Sequence, residues 1–206
     1  MPTPVEICNI ALIMIGADEI RDFDKSTKRH RACETMYNHL LPTLLITHDW
    51  SFAREVEPLR LLADGIPNEY GTPYEIPVEC LRPIDVLPIG HGQKWEVIGG
   101  YIYTNTSSPS LKYTKKITNY SKFSTPFVNA LAFAIAAAIA PSIKQNEKFE
   151  KGIETKAAIA LAEAQEADAQ IGNEHRHPDT DPDNDTFVNP DGTDALGLLE
   201  PNNGNS

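Results

Sequence analysis

Asp179, Asp181, Asp183 and Asp185 alternate along one stretch, and alternating carboxylates are how calcium-binding loops begin. Such a loop also needs glycine at its sixth position for a sharp turn, and a glutamate at its twelfth that binds with both oxygens. Counted from Asp179 those positions hold Asn184 and Pro190; counted from Asp181 they hold Thr186 and Gly192. Neither frame completes the loop, so the run reads as solvated acidic chain. His175 and His177 form an HxH pair, but no cysteine or third histidine stands nearby to complete a zinc shell. His30, His39 and His48 are nine apart, a spacing that does not stack on one helical face. Cys33 with a distant histidine has the residue types of a nucleophile and base, yet it falls on an apolar stripe, where a buried inert thiol is expected. Acid–base cleavage of a glycan needs two carboxyl groups facing each other across a pocket. Here most Asp and Glu lie on polar helix faces. Neither GxxxxGK[ST] nor GxGxxG occurs. Trp50, Trp95 and the tyrosines lack interleaved basic residues and read as core or subunit-contact anchors rather than a stacking platform for bases. The chain is therefore expected to carry no catalytic residues, no metal site and no cofactor.

The charge balance agrees with that reading. The 206 residues carry a net charge of -11, and the stretch from Asn173 to Ser206 alone supplies -7. No basic stripe exists to neutralise phosphates, which argues against tight nucleic-acid binding. Cys8, Cys33 and Cys80 stand far apart with no CxxC pair, as expected of reduced thiols inside an intracellular protein. The N-terminus lacks the basic-then-apolar pattern of a secretion signal.

These residues must be positioned by a mainly helical chain organised around the stretch TPFVNALAFAIAAAIA, residues 125–140. Seven of the eleven residues from Ala130 to Ala140 are alanine, a strong helix former and a weak strand former. Thr125-Pro126 is a helix start, and Pro141 is expected to end the helix. Leu131 and Ile135 anchor one face while Phe127, Phe133 and the alanines cover the rest, so the helix must be buried on several sides. At fourteen residues from Phe127, interrupted by Asn129, it falls short of the roughly 20 that cross a bilayer, so no membrane contact is expected.

Three further helices are expected. Thr3-Pro4-Val5-Glu6 is a capping box, which starts a helix over about 4–16 with Gly16 as its C-cap. A second helix over about 27–48 carries the stripe Cys33, Met36, Tyr37, Leu40, Leu41, Leu44 and Leu45, with Pro42 expected to kink or break it. A fourth runs over about 143–171 from a start at Ser142, its stripe being Phe149, Ile153, Ala157, Ala160, Ala164, Ala167 and Ile171, with Gly172-Asn173 as its stop. Small residues on it and on the central helix would let those two backbones approach closely. Between the second and third helices, residues 54–123 are broken by recurrent Pro and Gly and contain short β-like runs, among them a hairpin about Gly99-Gly100. A small antiparallel sheet is expected there, held to the helices by Trp50 and Phe52. Residues 1–172 thus form one domain, and 173–206 an extended acidic tail too poor in apolar residues for a core. Phe187-Val188 and Leu196 with Leu198-Leu199 are its candidate partner-binding anchors.

An ordered series of residues resembles the head–tail adaptors of short-tailed bacteriophages, the tail tubular protein A group. It comprises Ala11-Leu12 with Ile15-Gly16 and Ile20, Ala32-Cys33 with Tyr37, and Trp50-Ser51-Phe52-Ala53. It continues through Pro77 with Cys80-Leu81-Arg82, the Trp95–Thr104 hairpin, Leu111 with Tyr113, and Phe123 with Phe127 and Ala130-Leu131-Ala132. The resemblance spans about residues 4–171 and leaves the acidic tail outside it. It implies a structural virion protein, built in the host cytoplasm and placed at the head–tail junction as a twelvefold ring. The implied partners are the portal protein, a tail nozzle of the tail tubular protein B type, and copies of the chain itself. Genomic DNA would pass through the channel without specific binding, and an acidic wall suits such passage. The alternative class is a small hydrolase acting on cell-wall glycan through a carboxylate pair.

Overall fold

Thr3 opens the first helix, α1 (Pro4–Met14), as its capping box requires: its hydroxyl accepts from the Glu6 backbone while the Glu6 carboxylate accepts from the Thr3 backbone. The helix closes at Gly16, whose φ of 63° is the left-handed cap that glycine adopts without cost. Asn9 then ties down the chain beyond, bonding Ile20 through both its amide nitrogen (2.9 Å) and its oxygen (2.8 Å). The computed structural model describes residues 2–23, 27–63, 65–143 and 146–174, with side chains to residue 171.

Helix α2 (Lys28–Thr47) runs unbroken through Pro42, where a break or kink was expected. The missing N–H costs the helix one bond, but Leu41, Leu44 and Leu45 on either side are buried and the Thr43 hydroxyl bonds the His39 carbonyl at 2.8 Å. Burial of that face outweighs the proline. Helix α3 (Thr125–Ile143) likewise continues past Pro141, and the Ser142 hydroxyl bonds back to the Ile139 carbonyl at 2.8 Å instead of starting the next helix. Nine of its residues are buried, Leu131 and Ile135 among them. At 19 residues and a mean hydropathy of 1.8 it is long and apolar enough to cross a membrane by composition, a length that the sequence reading underestimated. Its face packs against α1 and α2, as a core helix does.

Helix α4 (Glu147–Glu174) starts later than Ser142, because Asn146 supplies the cap: its side chain accepts from the Phe149 N–H at 3.1 Å. It also runs through Gly172-Asn173, the expected stop. Close backbone packing joins α3 to α1 and α2 rather than to α4. Instead α4 reaches the core through Ile153, Ala160 and Ala164, while Phe149 and Ile171, at the ends of the expected stripe, are exposed.

The region between α2 and α3 is larger than a single small sheet. A 3-10 turn (Ser51–Ala53) leads into β1 (Arg54–Pro58), β2 (Arg60–Leu61), β3 (Thr72–Glu75), β4 (Cys80–Leu87), β5 (Trp95–Ile98), β6 (Tyr101–Thr104) and β7 (Ser110–Lys115). These form two antiparallel sheets, ordered β1-β7-β4 and β2-β3-β6-β5. Strands β1, β2 and β3 escape sequence detection, since their prolines, charged residues and short length hide the alternation. The hairpin of β5 and β6 turns at Gly99 and Gly100, with φ of 60° and 84°, values that suit glycine at both central positions. Val86, Leu111 and Tyr113 of the first sheet and Ile102 of the second share a small core against which Trp95 packs half-buried. The chain divides into two units, Met1–Gly172 and Asn173–Ser206, and these elements belong to the first apart from the last two residues of α4.

Candidate functional site

Where α2 ends, its last carbonyls have no helical partner and must find other donors. The Leu44 carbonyl takes two, the Thr47 hydroxyl at 2.7 Å and the Trp50 indole N–H at 2.9 Å. That bond fixes a fully buried Trp50 ring edge-on to Phe127 (4.9 Å between centroids) and His48 (4.9 Å), with Phe52 tilted at 5.8 Å. Phe52 in turn meets Phe123 (5.7 Å) and Phe127 (5.0 Å). Five rings thus bind the α2 terminus, the entry to the β-region and the start of α3 into one cluster.

Asp168 of α4 completes this junction. It is only 5% exposed and accepts from the Ser51 N–H (2.9 Å) and the Ser51 hydroxyl (2.7 Å), with the His48 Nε2 at 3.5 Å. Serine, histidine and aspartate in contact are the residue types of a hydrolytic triad, but the order is wrong. A triad needs the imidazole between serine and aspartate so that it can take the hydroxyl proton. Here the carboxylate stands in the middle and the serine proton is already given to it. The arrangement ties α4 to the α2–β1 junction and leaves no activated nucleophile. Sequence reasoning missed this site because its members are 117 residues apart. The available signal was a carboxylate between Ala164 and Ile171, on the stripe that should be apolar.

One step outward, Asp49 draws in three cations. Arg54 bonds it through Nη2 at 2.9 Å and Nε at 3.1 Å, Lys112 lies 3.7 Å away, and Arg82 adds its charge. Partial burial works against the charged carboxylate, but the Arg54 hydrogen bonds and the three positive charges outweigh it and hold Asp49 below the usual carboxylate range. A depressed folded-state value means that this contribution is present above the unfolded value of 3.8 and lost as pH falls below it. Asp49→Asn is therefore expected to cost about 1 kcal/mol at pH 7 and to flatten the loss of stability below that value. Urea midpoints of the two proteins from pH 2.5 to pH 7 check this, and parallel curves would contradict it.

The described residues also include a cleft of about 300 Å³ beside the first sheet, lined by Glu57, Glu75, Glu79, Arg60, Ile76 and Tyr113. Its three glutamates are candidates for a glycan-cleaving carboxylate pair. Glu57 accepts the Tyr113 hydroxyl proton at 3.1 Å, and burial together with this bond pushes Tyr113 up to about 12. Glu79 is paired with Lys115 at 3.0 Å, and Lys115 also reaches Glu55 at 3.5 Å. Two of the three lining carboxylates are spent on donors from the chain itself.

Of the residues singled out from sequence, Trp50 and Phe52 meet at the junction, Leu131 and Ile135 are buried in the same helical core, and Trp95 belongs to the smaller β core. Cys33 is fully buried, and the thiol of Cys8 lies against it. The tail anchors Phe187, Val188, Leu196, Leu198 and Leu199, the HxH pair and the four alternating aspartates lie outside the described residues. Among the described residues no group of three or more His, Cys, Asp or Glu is arranged to hold a metal ion. Compared with known proteins, the chain matches no family model and no curated protein.

Proposed function

We propose that this chain is a structural virion protein, a head-to-tail adaptor whose ring joins the portal to the tail nozzle and encloses part of the DNA channel. The observation that carries the proposal is the apolar exterior of the β-region. Eight of the thirteen exposed large apolar side chains among the described residues fall between Val56 and Tyr101, with Val78 at 102%, Ile66 at 82% and Ile89 at 71%. Single exposed apolar groups are ordinary, and it is their share in this one stretch of the chain that supports a partner surface. The ordered resemblance to phage adaptors supplies the identity of the partners: the portal, a tail tubular protein B-like nozzle and neighbouring copies of the chain. In this reading the acidic tail is a strap anchored by Phe187, Val188, Leu196, Leu198 and Leu199. The polar groups of the helix–sheet junction are used for bracing, which suits a connector that transmits load.

The second reading is a hydrolase acting on cell-wall glycan, for which the glutamate-lined cleft is the candidate site. One experiment separates the two. The protein is mixed with purified portal rings and sized by sedimentation, and separately spotted on a peptidoglycan gel with and without calcium. A connector co-sediments with the ring, leaves the gel uncleared and gains nothing from calcium; removing residues 173–206 weakens the co-sedimentation. Clearing of the gel that Glu57→Gln abolishes would establish the hydrolase instead.

A further inference from the structure

We propose that Cys8 and Cys33 are the two halves of a latent disulfide, which staples α1 to α2 when the protein meets an oxidising small-molecule disulfide. The two residues are 25 apart in sequence, on helices that pack together, and both are 0% exposed. The Cys8 Sγ points across the helix interface and reaches the Cys33 carbonyl at 3.8 Å. A disulfide joins Cα atoms about 5.5–6 Å apart through a sulfur pair of about 2.05 Å. The Cys8 sulfur thus already stands at the backbone of the residue it would bond. Each thiol also feels the other: Cys8 draws Cys33 below the usual thiol range against the effect of burial, with Arg29 assisting, while Cys33 and burial push Cys8 up. Cys33 is thus the first attacker and Cys8 the second.

The chemistry balances with a symmetrical disulfide such as oxidised glutathione as the oxidant. The Cys33 thiolate attacks one of its sulfurs, that S–S bond breaks, and one glutathione thiolate leaves. Cys8, having lost its proton, attacks the Cys33 sulfur of the mixed disulfide, and the second glutathione thiolate leaves. Two protein thiols are oxidised, one small disulfide is reduced, and the two protons given up by the protein thiols end on the two glutathione thiols. Complete burial means that the reaction waits for α1 to lift locally from the core. Cys80 is an internal control, since it packs against the separate β core and burial pushes its thiol up to about 11. The closed loop of about 25 residues restricts the unfolded chain, so the oxidised protein should be the more stable form.

The test uses the full chain, incubated with excess oxidised glutathione, then denatured, alkylated with iodoacetamide and weighed intact. The expected product carries a single alkyl group, on Cys80, lacks two hydrogens elsewhere and yields a linked peptide containing Cys8 and Cys33. Its urea midpoint exceeds that of the reduced protein, and reductant reverses the rise. Cys80→Ser should retain the linked pair, whereas Cys8→Ser should stop at a glutathione adduct on Cys33. Three alkylated cysteines, a linked pair that includes Cys80, or a linked Cys8–Cys33 protein whose midpoint does not rise would each overturn the staple.

Discussion

Trp50→Ala is expected to remove about 3–5 kcal/mol of stability, the largest effect of any single truncation at the junction. The ring is fully buried and stands between Phe127, Phe52 and His48, so its removal leaves a cavity walled by aromatic faces that cannot collapse onto one another. The Leu44 carbonyl also loses its indole donor and keeps only the Thr47 hydroxyl. Against a typical total of about 5–15 kcal/mol for a domain, such a loss would unfold a large share of the protein at 37 °C. Trp50→Phe preserves most of the ring contact but not the hydrogen bond, and should cost only about 1–2 kcal/mol. Urea unfolding followed by circular dichroism separates the two, and in the Phe variant Trp95 is left as the lone indole reporter of the β core. An unchanged midpoint in Trp50→Ala would mean that the aromatic cluster does not hold the helices and the β-region together.

Asp168→Asn should cost roughly 2–4 kcal/mol even though the side chain keeps its size. The carboxylate accepts two bonds from Ser51 within 2.9 Å while only 5% exposed, and an amide nitrogen placed there presents a donor to a donor. A double-mutant cycle with Ser51→Ala isolates the contact. If the brace exists, the two losses overlap by more than about 1 kcal/mol; if they simply add, α4 is held by its apolar stripe alone. The same variants bear on chemistry. A brace predicts that Ser51→Ala lowers the unfolding midpoint, whereas a nucleophile would lose an activity with its stability intact.

Much of the helical framework was legible because its signals act within a turn or two. Thr3 and Glu6 cap one another three residues apart, Gly16 closes α1 by its own backbone freedom, and the alanine-rich run around Leu131 and Ile135 favours helix residue by residue. The Gly99-Gly100 hairpin is equally local, since the turn itself requires the two glycines. Proline was read as local punctuation too, and there tertiary structure prevailed. Leu41, Leu44 and Leu45 around Pro42, and Ile139 and Ala140 before Pro141, gain enough from burial to carry each helix past its missing hydrogen bond.

What the sequence could not specify was which distant residues would meet. No periodicity relates Asp168 to Ser51, or Cys8 to Cys33, and the three cations around Asp49 come from separate strands. The division of the β-region into two sheets, with β7 between β1 and β4 rather than beside β6, is of the same kind. Capping, turn and propensity effects fall off within a few residues, so they can be read along the chain. A buried carboxylate or thiol takes whichever partner the closed core brings to it, because leaving it unpaired costs more than any local preference supplies.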